Sequence, residues 1–336
     1  MSYFEVTPDI IRIVGDESIE DEINACYVIF DSEICIIDSG TPQTPKNDIL
    51  NCIGDYGRKP DDVTYIVTTH EHYDHFGAHA WLKRKCKNAK IVAHKNAVET
   101  MANPKRLGSD HYRLGKGDKF MLSFYGSPTD RLQSCTVEES NIVEDGDTIS
   151  FGNTELEVIY TGGHCAGHVF YYGDFSGSKV IFIGDEALMY PGDSYKYYID
   201  FTGDASRRLK ALKKLFNMNW KIMCPVHDEA YMRTDGMEML RMAIDGHNQW
   251  NQAILDVLNE YGKEVSTGKL AREVEERMGI SWGPQMSHLI DHSTVYMHLL
   301  ALKKAGKVTG KGEYDKARWK LSAEALLEEF DSEFAF

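Results

Sequence analysis

Thr68-Thr69-His70-Glu71-His72-Tyr73-Asp74-His75-Phe76-Gly77 sets three histidines and an aspartate within six residues. Just before it, Val63-Thr64-Tyr65-Ile66-Val67 is short, β-branched and bounded by polar residues, which reads as a buried strand. Gly77 to Cys86 reads as a short helix. The polar cluster therefore falls on a loop at the carboxyl end of a strand, where open α/β sheets place their sites. In extended chain, residues i and i+2 point the same way, so His70 and His72 can grip one ion. Asp74 and His75 stand where the chain turns into the helix and can face a second. Imidazole and carboxylate suit zinc, and also iron or manganese. A lone histidine would read as an incidental part of a polar loop; this density and spacing do not.

Further ligands belong at other strand ends. Glu155 to Tyr160 reads as a strand running into Thr161-Gly162-Gly163-His164-Cys165-Ala166-Gly167-His168. Val180 to Ile183 is a buried strand ending in Gly184-Asp185. Ile222 to Cys224 is a short strand ending in Pro225-Val226-His227.

His-x-His-x-Asp-His, Gly-His-x-x-Gly-His, Gly-Asp and a late strand-end His, in that order, resemble the metallo-β-lactamase superfamily. Ile34-Cys35-Ile36-Ile37-Asp38-Ser39-Gly40 is similar to its early Asp-x-Gly element. The resemblance covers about residues 10 to 230. It implies two divalent ions per chain, zinc being the expected metal and iron or manganese the alternatives. His70, His72 and His164 would hold the first ion, and Asp74, His75 and His227 the second. Asp185 would bridge them, and Asp38 would hydrogen-bond the ligand loop. In the family the late His usually follows Gly, whereas Val226 precedes His227 here. His168 is not a family ligand and is expected to be structural. The implied fold is α/β, a four-layer αββα sandwich; periodicity alone gives only mixed α/β.

The 336 residues suit one large or two ordinary domains, and 42% apolar content supports a proper core. The net charge of -15 argues against a general polyanion binder. Seven cysteines without a Cys-x-x-Cys pair favour reduced thiols and a cytoplasmic setting. Cys165 reads as a small buried thiol. The first residues lack the basic and apolar regions of a signal peptide, and no apolar run approaches a membrane span.

Along the chain, Ile10 to Val14, Cys26 to Phe30 and Ile34 to Asp38 read as a meander of three strands. Thr44, as N-cap, and Pro45 open a helix to about Tyr56. Ile91 to Ala93 is a strand, and His94 at its end takes a structural or rim role. Residues 101–141 break the alternation. This insertion, with its scattered aromatics, reads as a lid or a contact in a homodimer. Four tyrosines between Tyr190 and Tyr198 read equally as a substrate wall or as ordinary surface aromatics. Asp204 caps a helix whose Leu209, Leu212, Leu215 and Phe216 form a core stripe.

A catalytic domain over 1–234 is thus followed by a mainly helical domain over 235–336. Asn248 to Tyr261 is one helix, Thr267 to Met278 a second, capped by Ser266 and closed by Gly279, and Ser293 caps a third. Val308-Thr309 and Arg318 to Leu321 form a hairpin. This order resembles a winged helix, which some metallo-β-lactamase-fold hydrolases carry at this place, including an endoribonuclease. The hairpin is lysine-rich, but Glu324, Glu328 and Glu329 follow at once, and a solvated face is the favoured reading. His288 and His292, at i, i+4, read as a surface pair.

The resulting expectation is a dinuclear metal-dependent hydrolase using a metal-bound hydroxide, with Asp74 orienting the nucleophile. The substrate is a small acyl compound, a carboxylic ester or thioester, as in the glyoxalase II relatives. Single-stranded RNA is the alternative, drawn by the C-terminal lysines. A non-hydrolytic, iron-dependent persulfide oxygenase is the third reading; the flavodiiron branch replaces one histidine by Glu, and this chain keeps His72.

Overall fold

A computed structural model describes residues 3–14, 25–43, 46–107, 132–187, 189–190, 196–197, 203–280, 284–323 and 325. The chain divides into two compact units, 1–187 with 217–237, and 188–216 with 238–336. The second unit thus takes in 188–216, a stretch that a single boundary at 234/235 assigns to the catalytic domain.

In the first unit, β1 (Tyr3–Thr7), β2 (Ile10–Val14), β3 (Ala25–Phe30) and β4 (Ile34–Ile37) form an antiparallel meander. Helix α1 (Lys46–Asp55) then crosses to β5 (Val63–Val67), which pairs parallel with β4. The short α2 (Tyr73–Phe76) and α3 (His79–Lys85) lead to β6 (Lys90–His94), and α4 (Lys95–Ala102) follows. With β7 (Ile142–Val143) the first sheet runs β1 to β7 in spatial order. The second sheet comprises β8 (Thr148–Phe151), β9 (Thr154–Tyr160), β10 (Val169–Phe175) and β11 (Ser178–Gly184), joined later by β14 (Ile222–Pro225) and β15 (Tyr231–Met232). Its order is β15-β14-β11-β10-β9-β8, with β11 and β14 parallel.

Strand alternation explains the layering. Ile10, Ile29, Ile37 and Val67 of the first sheet pack against Leu156, Val158, Tyr171 and Phe182 of the second. The opposite faces of the same strands, with Ile11, Val28 and Ile36, pack on Ile49 and Ile53 of α1 and Leu82 of α3. The product is a sandwich of two sheets with helices outside. β4, β5 and β6 run parallel, and Asp38 N donates to Val67 O and Thr68 N to Val92 O, so their carboxyl ends stand at one level. The ends of β11 and β14 do the same. Val169 N bonds Thr69 O across the two sheets and draws these edges together.

Thr44 and Pro45, the expected start of α1, lie outside the described residues, as do 108–131 of the insertion and most of the tyrosine-rich stretch. The insertion's described end returns to α4, where Cys135 N donates to Met101 O. β12 (Met189–Tyr190) and β13 (Lys196–Tyr197) pair as a hairpin.

The second unit holds α5 (Ala205–Asn217), capped by Asp204 Oδ1, which accepts from the amides of Ser206 and Arg207. Its buried stripe runs Ala205, Arg208, Ala211, Leu212, Leu215, so Arg208 takes the place expected for Leu209, and Phe216 is half-buried. α6 spans Arg233–Tyr261 without a break. α7 (Thr267–Met278) ends as expected, with Gly279 at φ 61°. Ser293 caps nothing: α8 begins at Pro284 and runs to Lys304, with Ser293 buried inside it. Pro at a first helical position is the stronger start signal. His292 is buried rather than on the surface. β16 (Val265–Ser266), β17 (Val308–Lys311) and β18 (Arg318–Leu321) form a small antiparallel sheet in the order β16-β18-β17.

Candidate metal centre

The carboxyl ends of β5, β11 and β14 and the β9–β10 turn gather all seven of the expected ligands. They fall into two groups whose donor atoms lie within 4.8 Å of one another: His70, His72, His164 and Asp185, and Asp74, His75 and His227. Oδ2 of Asp185 lies 3.8 Å from His70 Nε2, 3.5 Å from His164 Nε2, 3.2 Å from His75 Nε2 and 3.3 Å from His227 Nε2. One carboxylate oxygen thus faces imidazoles of both groups. His227 Nε2 is also 3.2 Å from Asp74 Oδ2.

These separations suit metal ligation. A tetrahedral ion with ligands at about 2.1 Å holds its donors about 3.4 Å apart. His72 Nδ1 and His164 Nε2 stand at hydrogen-bond distance, 2.9 Å, so an ion between them would replace a shared proton. His70 Nε2 is buried with no hydrogen-bond partner among the described residues, and a buried ring nitrogen needs one. The donor set of imidazole and carboxylate fits a divalent ion.

The electrostatics divide the site. Burial pushes the pKa of His70 well down, aided by His75 and His72. Burial also opposes charge on His75, but Asp185, Asp74 and Asp38 outweigh it and raise His75 to about 10. His227 is raised well above its ordinary value against burial by Asp185 and Asp74. The two aspartates respond in kind. Burial works against Asp185, but His227 and His75 hold its pKa well below the usual carboxylate range. Asp74 is lowered in the same way by His75 and His227. Asp74 and His227 retain 13% and 14% side-chain exposure, whereas His70 and His75 have none, so solvent meets the cluster on the Asp74 side.

Asp38 behaves as expected. Its carboxylate accepts from Thr69 N and Thr69 Oγ1, each at 2.7 Å, and contacts His75 Nδ1 at 2.9 Å. His168 is structural, but with a defined task. Its Nδ1 meets Glu186 Oε2 at 3.0 Å, and its Nε2 accepts from the amide of Asp185 at 3.2 Å. Glu186 also accepts from Thr161 Oγ1 and from the amide of His164. Glu71, between two ligands, is buried and accepts from Gly167 N and from the Cys165 thiol. His94 Nδ1 accepts from Asn96 N at the start of α4, and its ring stacks on Tyr160 at 4.2 Å, a structural role.

Glu71 and Glu186 are the residues that sequence reasoning passed over. Their only signal is adjacency: each sits beside a ligand at a strand end. His79, also missed, lies behind the centre with Nδ1 2.7 Å from Ser39 Oγ.

Comparison with known proteins places this geometry. The profile of the Metallo-beta-lactamase superfamily matches residues 20–227. Among curated proteins, the chain is 27% identical over 148 residues to a hydroxyacylglutathione hydrolase of Maricaulis maris, covering 44% of this chain and 42% of that one. It is 29% identical over 122 residues to a hydroxyacylglutathione hydrolase of Mesorhizobium japonicum, covering 36% and 33%. The chain thus spans less than half the length of either relative. Among solved structures, a metallo-beta-lactamase family protein from Thermus thermophilus has a TM-score of 0.70 at 16% identity, covering 94% of this chain and 99% of that one. A beta-lactamase domain protein from Burkholderia ambifaria gives 0.68 at 16%, covering 95% and 93%. At these identities the likeness is one of fold.

Proposed function

The chain belongs to the metallo-beta-lactamase superfamily, and on that premise we propose that it is a dinuclear metal-dependent hydrolase acting on a carboxylic ester or thioester. The observation that carries the reading is Asp185 Oδ2 standing between imidazoles of both groups. His70, His72 and His164 would hold one ion, Asp74, His75 and His227 the other, with Asp185 between them and zinc the expected metal. When bound, such ions lower the pKa of water towards about 7 and stabilise charge on a substrate oxygen.

The chain's own residues supply the rest. Asp74, ionised and on the solvent side of the cluster, would orient the attacking oxygen and pass its proton on to the leaving group. Asp38, Glu71 and Glu186 hold the ligand loops in place. An acyl substrate is supported by the curated relatives, whose name gives a hydroxyacyl-glutathione as what they hydrolyse. The test is hydrolysis of a panel of acyl thioesters and aryl esters by zinc-loaded protein, beside His72→Ala. Turnover by the wild type alone supports the reading, and equal turnover by loaded His72→Ala refutes it.

A second reading has an observation of its own. The three helices and small sheet of the second unit resemble a winged helix, and Lys303, Lys304, Lys311, Lys316, Arg318 and Lys320 on its last helix and hairpin are exposed. Such a strip would attract single-stranded RNA in a salt-dependent way. Cleavage of labelled single-stranded RNA by the wild type but not by His72→Ala would favour it over the acyl substrate. Iron content with oxygen uptake would instead favour the persulfide oxygenase.

A further inference from the structure

Residues 225–228, which carry His227, are held by the first sheet as well as by their own, in which Val226 N donates to Gly184 O at 3.4 Å. The Tyr27 hydroxyl donates to Pro225 O, Ala25 N donates to Val226 O at 2.9 Å, and Arg12 Nη2 donates to Asp228 O at 2.8 Å. Arg12 and Tyr27 are directly opposite in the β2–β3 register. Arg12 is two residues from the inward-facing Ile10, so the pair projects from the inner face of the sheet towards the end of β14. Their two bonds grip the backbone on either side of His227.

Stability alone does not explain the arginine. It is only 7% exposed, and its Nε is buried with no hydrogen-bond partner among the described residues. A buried cation with an orphaned N–H is costly, and an apolar replacement is often neutral or stabilising. The guanidinium fixes the carbonyl of the residue after His227 and bonds the Tyr27 hydroxyl, which itself holds the carbonyl of Pro225. The imidazole of His227 must meet Asp74 Oδ2 and Asp185 Oδ2 together, at 3.2 and 3.3 Å. A small rotation of the 226–228 backbone would lose one of them.

We propose that Arg12 is the positioning residue for His227, so that binding at the Asp74–His75–His227 group depends on it while binding at the His70–His72–His164 group does not. The inference rests on the metal-centre reading above.

The test is titration of the metal-free full-length protein with Co(II) alone, followed by visible absorption and metal analysis. The proteins are the wild type, Arg12→Met, Arg12→Lys and His227→Ala. A cleft of about 300 Å³ beside Arg12 gives the replacement side chains room. The expected result for Arg12→Met is a second equivalent weakened about 10- to 100-fold, the range for partners that orient a ligand. Its first equivalent and melting temperature should match the wild type, and Arg12→Lys should recover part of the loss. Two equivalents bound as tightly as in the wild type overturn the proposal. So does equal weakening of both with a lowered melting temperature, which marks a merely structural role. If Arg12→Lys alone folds, wild-type binding of its second equivalent overturns it as well. His227→Ala separates this from failure of the underlying reading: if that variant keeps both equivalents, or the wild type binds none, the ligand assignment falls and the role of Arg12 with it.

Discussion

Oδ2 of Asp38 lies 2.9 Å from Nδ1 of His75, and the contact turns the other ring nitrogen towards Asp185, 3.2 Å away. Asp38 does this from the left-handed region, at φ 58°, where Asp and Asn are tolerated better than other side chains. Asp38→Asn therefore keeps the backbone but loses the charge that orients His75. We expect metal affinity to fall about 10- to 100-fold with little change in melting temperature. Asp38→Ala removes the acceptor for Thr69 N and Oγ1 as well and should cost about 2–4 kcal/mol. Competition with a chromophoric chelator reads the first variant, and denaturant melts read the second.

Metal loading should release protons. In the metal-free protein the folded-state pKa of His75 is about 10 and that of His227 is well above its ordinary 6.5, so both rings carry protons at neutral pH. Their contribution to stability is full below pH 6.5 and is lost as pH rises towards 10. The metal-free protein should accordingly melt at lower temperature at pH 9 than at pH 7. Filling the Asp74–His75–His227 group displaces these protons, so its affinity rises with pH. Calorimetric titration at pH 7 in buffers of different ionisation heat should find about two protons released on filling this group, and fewer in His75→Gln. No release contradicts the assignment.

Acid should destabilise both units. Burial, with His75 adding to it, lowers His79 to about 3, and burial with Arg208 lowers His247 to about 3. In the unfolded chain these groups protonate near 6.5. Both folded values lie below the unfolded one, so stability is full above pH 6.5 and declines as pH falls from there towards 3. Melting temperature should drop between pH 6.5 and 4, less steeply in His79→Gln; a flat profile over that range contradicts the buried, neutral state.

Gly184 stands at φ 51°, and a Cβ there would meet His168 Nε2 at 2.6 Å and Thr69 Cβ at 3.0 Å. Gly184→Ala should cost about 1–3 kcal/mol. Because Asp185 follows it, metal content at a fixed loading concentration should fall too. Wild-type melting and loading would show that the turn has slack.

That the seven residues of the candidate centre gather at one place was legible because each stands at the end of a strand whose apolar pattern marks it, and because the first four share one loop. Val63 to Val67 and Ile222 to Cys224 read as strands on β-branched or apolar character alone, and that put His70 and His227 at one edge. Glu71 and Glu186 were not legible. In a sequence a buried acid looks like a surface one, and Glu186 is buried with its carboxylate bonded by His168 and Thr161. The C-terminal unit shows the same limit. Arg208 reads as surface, yet it is fully buried while Leu209 is only half-buried. Ser293 has the chemistry of a cap, but Pro284 upstream had already started the helix. Arg12, in a strand, carries no mark of the carbonyl it holds more than two hundred residues away.

The most direct test of the central claim is the number of metal ions the protein holds. Metal-free protein would be dialysed to equilibrium against zinc at neutral pH and analysed for metal, beside Asp185→Asn. The account predicts two ions per chain in the wild type, and in Asp185→Asn a loss at both groups, since its carboxylate faces both. A wild type holding none, or an Asp185→Asn protein that binds both ions unchanged, would contradict it.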